Sequence, residues 1–537
     1  MMRRATLILI VLLWPGLATA EAVEARRHML AAAHPLAAEA GRDILRAGGN
    51  AVDAAIATQL VLTLVEPQAA GIGGSTFMVV GRDRDKVEVF EGREAAPSTV
   101  RPGLFVGPDG RSLPYLSYAY GPQAVGIPGM LRAFEMAHRA YGHLPWADLF
   151  RHAIDLSENG FVVSPRLASS VATYRERLAR DPAMAAYFLP NGQSLQAGQI
   201  LRNPALAETL RTVASGGAAA FYRRPGMFDG RDMAGYRAHR VAALCGPYRV
   251  YVICGPPPPS SGAIAVLQIM ALLQRFDLAA WGPADVRSLH VIAEAGRLAF
   301  ADRDAYVGDG IAPGRVAALL DRRYLARRSN LISLDSSLGV ASPGEPFGRR
   351  GALPALNETH GTSQVSVVDN SGLAVSMTSS VGDAFGSGLM QDGYVLNNEL
   401  ADFDARTEGP NVPGPGKRPR SSMTPVLVFD RDGRMVLALG SQGGPRIIGF
   451  VAKMLVATLD WNLDMQAAID LPHALNRNGM TELETGPGRE AAKTALEGMG
   501  HQVRLGEIDS GQQGIRIVGD RLRGGGDRRR EGVAVGD

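Results

Sequence analysis

Cysteine is nearly absent from this 537-residue chain, which has only Cys245 and Cys254. Two thiols cannot form the disulfide framework on which small secreted domains rely. No Cys/His cluster has metal-ligand spacing and no phosphate-binding loop occurs, so neither a metal nor an organic cofactor is indicated. Aromatic residues make up 6% and never interleave with a basic block, which argues against a nucleic-acid partner. Charge of either sign is not in excess: 56 Lys and Arg stand against 53 Asp and Glu. Beyond the N-terminus no apolar run is long enough to span a bilayer. The two cysteines flank Gly246-Pro247-Tyr248-Arg249, a turn-like stretch entering a strand. A bridge is permitted in an oxidising compartment, but a turn placed there would not set the pair opposite each other. The expectation is two free, buried thiols.

The chain is instead rich in glycine, with 64 residues. Short runs such as Gly71-Ile72-Gly73-Gly74 and Gly440-Ser441-Gln442-Gly443-Gly444 mark close backbone approach or tight turns. The N-terminus reads as a cleavable export signal: Arg3-Arg4, an apolar stretch from Ala5 to Leu17, and Ala18-Thr19-Ala20 as a small-residue cleavage site. Residues 1–20 are therefore expected to be removed after Ala20, sending the chain to a periplasm or the exterior. Helices are expected from His34 to Leu45 and, capped by Asn50, from Ala51 to Leu64, with a strand from Thr76 to Val80. Residues 125–215 and 284–330 read as helical. Pro256 to Pro259 form a rigid extended segment before a helix from Ala263 to Leu273. From Asn330 to His360 Ser, Gly, Pro and charge dominate, as in an exposed, mobile linker. Strand-rich patterning follows, then helices at Arg446–Ala457 and Met465–Leu471. This order suits an α/β fold, a four-layer αββα sandwich.

The chemistry concentrates where the linker meets the strands. Gly361-Thr362-Ser363-Gln364-Val365-Ser366-Val367-Val368-Asp369 reads as a strand that starts with a hydroxyl residue after a glycine. Cutting before Thr362 would put a free α-amine beside its own hydroxyl, uniting nucleophile and base on one residue. That amine has an ordinary pKa of about 7.7–8.0, so a usable share is neutral near pH 7. Asp369-Asn370-Ser371-Gly372 is a hairpin turn with Gly372 in the left-handed region. Counting back from Asp369 opposite Leu373 sets Thr362 opposite Ser380, whose hydroxyl is placed to orient the nucleophile.

These residues, with others along the chain, resemble the γ-glutamyltranspeptidase (glutathione hydrolase) family of N-terminal-nucleophile hydrolases. Thr362 to Asp369 is similar to the family's small-subunit start. Further matches are Gly48 to Ala55, Gly71 to Gly74, Arg93-Glu94-Ala95-Ala96-Pro97, Pro257 to Gly262, Leu396 to Glu399 with Asp402-Phe403, Lys417 to Met423, Gly440 to Arg446, and Arg528 to Gly532. The resemblance implies self-cleavage at Gly361–Thr362 into a large subunit, 21–361, and a small one, 362–537, intertwined in one αββα unit. It implies Thr362 as nucleophile with Ser380 in contact, and Gly443 and Gly444 as backbone donors of an oxyanion hole. Arg93, Ser421 and Ser422 would hold the α-carboxylate of a γ-glutamyl donor, and Glu399 and Asp402 its α-ammonium. The substrate is then a small γ-glutamyl amide, with no cofactor.

Three departures from the family pattern stand out. Ser363-Gln364 replaces Thr-His after the nucleophile, Gly382 stands where an asparagine helps bind the donor amine, and Asp404 to Gly416 is short where many members carry a long lid. A short lid implies an open, wet cleft in which water competes with amine acceptors. The expectation is a γ-glutamyl hydrolase more than a transferase. A cephalosporin or glutaryl acylase, or an unprocessed binding homologue, is the alternative.

Overall fold

The computed structural model describes residues 21–348 and 361–537. The export signal, the site of its removal, and linker residues 349–360 lie outside the described residues. Two seven-stranded antiparallel sheets lie face to face. The first runs Val533–Gly536, Met29–Ala32, Gly361–Val368, Ala374–Gly382, Ser75–Gly81, Glu88–Glu91, His239–Ala242. The second runs Val23–Ala25, Arg521–Gly526, Gln513–Val518, Met435–Gly440, Val426–Phe429, Tyr251–Gly255, Leu244–Tyr248. Helices Pro35–Arg46, Ala51–Val65 and Met130–Tyr141 cover the outer face of the first sheet. Gly262–Leu273, Val286–Tyr306 and Ile447–Leu459 cover the outer face of the second. This is the expected αββα sandwich. Strands from both sides of Gly361–Thr362 are interleaved in each sheet, so neither side forms a sheet by itself.

Period-two alternation decides which face each residue of the central hairpin takes. Val365, Val367, Val375 and Met377 point to the outer helices and join their core. Gln364, Ser366, Ser376 and Thr378 point between the sheets, where apolar packing is replaced by hydrogen bonds. Ser376 Oγ donates to Leu439 O at 2.8 Å and Ser366 Oγ to Gln513 O at 3.1 Å, both carbonyls of the facing sheet. Thr378 Oγ1 donates to Gln364 Oε1 at 2.6 Å. Gln364 lies against Gly440, where a Cβ would come within 2.4 Å of the amide. This departure from the family pattern therefore belongs to the inter-sheet layer.

The hairpin turn forms as its chemistry predicts. Gly372 has φ +80°, and Asp369 Oδ1 accepts from Ser371 N and Leu373 N at 2.8 and 3.1 Å. Its other oxygen accepts from Ala51 N at 3.0 Å, tying the turn to the start of the Asn50-capped helix. The counted register holds from Val368 opposite Ala374 to Ser363 opposite Ser379, then slips by one, pairing Gly361 with Gly382. Thr362 thus sits in a bulge and not directly opposite Ser380.

Two sequence-based expectations fail. Cys245 and Cys254 form a disulfide. The turn lies at Arg249-Val250, with Arg249 at φ +53°, so Tyr248 faces Tyr251 and the cysteines fall directly opposite each other. Cys245 is also exposed. In addition, the described part of the linker, 330–348, is held down. Leu338 N and Ser337 Oγ donate to the buried Glu294 at 2.9 and 2.8 Å, and Gly344 N to Asp302 at 2.8 Å. Buried carboxylates on the helix Val286–Tyr306 need donors, and this segment supplies them. Thiol titration of the denatured protein should find no free cysteine before reduction and two after it.

Candidate active site

The end of the inter-sheet layer is where the strand Gly361–Val368 begins. One small pocket there is lined by Arg93, Thr362, Ser380, Glu399, Asp402, Arg420, Ser421, Ser422 and Gly444, among others. Residues spread over 350 positions of sequence thus converge, and the group includes every site residue expected from the sequence except Gly443 and the cleavage-site Gly361, which lines the larger space beside it. Gly443 is the next residue in the chain and precedes the turn Gly444–Arg446. It has φ +124° and Gly444 has φ +57°, a conformation that favours glycine, and a Cβ on Gly443 would strike Phe450 at 2.7 Å.

Thr362 is buried, 2% exposed. Ser380 Oγ donates to the Gly361 carbonyl at 2.7 Å and accepts from Gly382 N at 2.8 Å. Its proton is therefore aimed at the oxygen of the peptide bond that joins Gly361 to Thr362. Gly361 is packed so closely that a Cβ would come within 2.4 Å of Gly382 O. Gly382 is at φ +96°, and a Cβ there would fall 1.9 Å from Asn398 Oδ1. Asn398 uses that oxygen to accept from Asp383 N at 2.8 Å, so no asparagine can replace Gly382. Asp383 accepts from Tyr115 and Tyr120 hydroxyls at 2.8 and 2.9 Å and is directed away from the donor pocket.

Arg93 is 1% exposed and donates to Glu399 and Asp402, each at 2.6 Å, and to Glu94 at 3.3 Å. Pro419 O accepts from its Nε at 3.0 Å. Burial pushes the Arg93 pKa down, but the three carboxyls outweigh it and raise it, so Arg93 stays charged. Burial pushes Glu399 up, and the Arg93 charge together with hydrogen bonds with Asp402, Ser380 and Arg93 more than offsets this, leaving it below the ordinary carboxylate range. Glu94 is held well above that range by burial and by the Glu399 charge. Glu94 is thereby biased toward its neutral form, beside one guanidinium that pairs with Glu399 and Asp402. Asn397 places this acid pair: Oδ1 accepts from Glu399 N and Gly126 N, and Nδ2 donates to Gly73 O at 2.8 Å.

The segment after Asp402 is short, as expected, and is pinned beside this narrow pocket. Asn411 Nδ2 donates to Asp402 O at 2.7 Å, its Oδ1 accepts from Arg420 N at 2.8 Å, and Asp404 N donates to Asn411 O at 2.8 Å. The pocket holds about 20 Å³, room for about one water. The larger space, about 630 Å³, lies on the Gly361 side, between Tyr115, Tyr120, Arg166, Tyr174, Arg177 and Arg530.

Arg530 lies in the Arg528 to Gly532 motif, but the sequence indicates no role for it. Arg530 Nη1 donates to Thr362 O at 3.4 Å and contacts Gln442, while Nε holds Asp509 at 3.0 Å. Nor does the sequence indicate a role for Glu66, which accepts from Ser363 Oγ at 2.6 Å and whose pKa burial raises. No spacing rule links Glu66 or Arg530 to Thr362, since each is more than 160 positions away. The same holds for His290, Glu294 and His501, a buried cluster whose ligand-type atoms all lie within 4.8 Å of one another. There the two imidazoles hydrogen-bond each other at 2.8 Å, and Glu294 accepts from Arg297 and Ser337 at 3.1 and 2.8 Å.

No helix among the described residues is long and apolar enough to cross a membrane. A family model described as gamma-glutamyltranspeptidase matches residues 37–537. The chain is 34% identical to the glutathione hydrolase proenzyme of Bacillus subtilis (strain 168), over 95% of this chain and 91% of that protein. It is 32% identical to the acylase ACY 1 proenzyme of Pseudomonas sp. (strain V22), over 92% of this chain and 90% of that one. The crystal structure of a cephalosporin acylase from Bacillus halodurans superposes with TM-score 0.85 at 27% identity, covering 99% of each chain. With this match spanning almost the whole sequence, the chain belongs to the gamma-glutamyltranspeptidase family of enzymes.

Proposed function

We propose that the protein is an exported precursor that cleaves itself at Gly361–Thr362 and then hydrolyses γ-glutamyl amides, glutathione among them, through a Thr362 ester. In the first reaction Thr362 Oγ attacks the Gly361 carbonyl carbon, whose oxygen accepts from Ser380. The C–N bond breaks as the ester forms, and the proton from Oγ ends on the released amine. Water then hydrolyses that ester, leaving a carboxylate on Gly361 and a free α-amine on Thr362. In the second reaction that amine takes the hydroxyl proton as Thr362 attacks the substrate γ-carbonyl. The leaving amine receives the proton, and water resolves the γ-glutamyl ester. Gly443 and Gly444 N–H groups would stabilise the oxyanion. The large space on the Gly361 side would let water reach the ester, which supports hydrolysis over transfer.

The observation that carries the choice of donor is the Arg93 cluster. A γ-glutamyl group ends in a zwitterion, a carboxylate and an ammonium on one carbon. Arg93 with Ser421 and Ser422 would take the first, and the acid pair Glu399 and Asp402 the second. A glutaryl group would bring a carboxylate with no ammonium to satisfy those acids, and burying an uncompensated charge is costly. The likeness to acylases keeps glutaryl amides as the competing donors. The Cys245–Cys254 disulfide supports export to an oxidising compartment.

On a denaturing gel the purified protein should give two fragments split at Thr362, and Thr362→Ala a single band, the 56.9 kDa chain less its export signal, with no activity. A single band from the unaltered protein would sink the reading. Release of p-nitroaniline should be faster from the γ-glutamyl anilide than from the glutaryl anilide. Glu399→Gln should lower kcat/KM for the γ-glutamyl anilide by roughly 10- to 100-fold, as expected for a charge-assisted hydrogen bond worth about 1.5–3 kcal/mol, with a much smaller effect on the glutaryl compound. Equal losses on both would remove the assigned role of the acid pair. The rate should rise with pH through about 7–8 as the Thr362 amine loses its proton.

A further inference from the structure

Ser421 and Ser422 line the donor pocket, but a serine hydroxyl both donates and accepts, so lining alone does not make it a carboxylate site. What surrounds the pair decides the direction. Met423 N donates to Ser421 Oγ at 3.1 Å. Arg303 Nη2 donates to Ser422 Oγ at 2.7 Å. A backbone N–H and a guanidinium can only donate, so both serine oxygens are engaged as acceptors and each hydroxyl keeps its proton to donate. Arg303 does more. It is 1% exposed, and its Nε donates to Ser261 Oγ at 2.8 Å. Ser261 Oγ in turn donates to Ser421 O at 2.8 Å, and Ser261 N donates to the same carbonyl at 2.8 Å. Asp304 Oδ1 accepts from Arg303 Nη1 at 2.6 Å and lies 3.6 Å from Arg420 Nη2, so the two arginines flanking the serine pair share one carboxylate. The end of the helix Val286–Tyr306 and the segment after Pro259 together fix residues 420–422.

We infer that Arg303 is a positioning residue for substrate recognition: it sets the Ser422 hydroxyl, and through Ser261 the Ser421 backbone, as donors to the terminal carboxylate of the acyl group. It touches no reacting atom and acts on binding. The inference rests on the donor-pocket reading above, but it holds for any acyl group that ends in a carboxylate, glutaryl as well as γ-glutamyl. Failure of the γ-glutamyl assignment would therefore not remove it.

The test compares unaltered protein with Arg303→Met, Arg303→Lys, Ser422→Ala and the Arg303→Met/Ser422→Ala pair. Substrates are γ-glutamyl, glutaryl and 4-aminobutyryl p-nitroanilides, the last without the carboxylate. Arg303→Met should raise KM for the two carboxylate substrates about tenfold, with kcat within about threefold. The 4-aminobutyryl kcat/KM should be unchanged, Arg303→Lys should recover part of the loss, and the double variant should be no worse than Ser422→Ala. Calorimetric binding of glutarate gives the same comparison without turnover and applies even to an uncleaved or inactive chain. Two fragments on a gel report that a variant still folds. Should Arg303→Met not cleave itself, Arg303→Lys and glutarate binding carry the test. Equal losses with and without the carboxylate, additive effects in the double variant, or unchanged glutarate affinity would overturn the assignment.

Discussion

The strand Gly361–Val368 has a partner on both sides, Met29–Ala32 and Ala374–Gly382, and helices on its outer face. The rest of the structure depends on this confinement. A central strand cannot shift its register without moving every side chain to the wrong face, so Thr362 is held at the mouth of the inter-sheet layer. The hydroxyls that follow it on that face are satisfied by carbonyls of the facing sheet. The slip at Gly361–Ser363 releases the first residue from the ladder and turns the Gly361 carbonyl to Ser380. A regular register would have used that carbonyl in strand pairing.

Charge in the donor pocket follows from the same confinement. Arg93, Glu94, Glu399 and Asp402 are gathered where water is scarce, so each depends on the others for its ionisation state. Burial and the Glu399 charge bias Glu94 toward its neutral form, while Arg93 pairs with Glu399 and Asp402. The serine pair opposite is prepared in another way, by donors that occupy its oxygens in advance. Both arrangements exist before any ligand arrives, which lowers the cost of ordering the site on binding.

The sequence was informative wherever the signal was local. Asn50 capping a helix, Gly372 closing a turn and the alternation of Val365 and Val367 with polar neighbours all came out as read, because each depends on contacts within a few residues. The site residues were legible through family motifs, and the pocket gathers them. Local reading failed where a turn could move by a residue or two. Centring the hairpin on Gly246 to Arg249 separated cysteines that the turn at Arg249-Val250 sets face to face. It failed also for residues 330–348, whose linker-like composition hid the donors needed by Glu294 and Asp302. Gln364 was read as a change near the reaction, whereas its side chain fills the space over Gly440.

By itself the sequence determined the layer order, the family, and the identity of a threonine placed after glycine at the head of a strand. Such properties depend on periodicity, turn chemistry and residue type. Only the tertiary structure decided what Arg93 pairs with, that Ser380 addresses the Gly361 carbonyl, and that Arg303 stands behind Ser422. Apart from the adjacent Arg93 and Glu94, those relations join residues 19 to more than 300 positions apart, and nothing short of the packed fold brings their atoms within hydrogen-bonding distance.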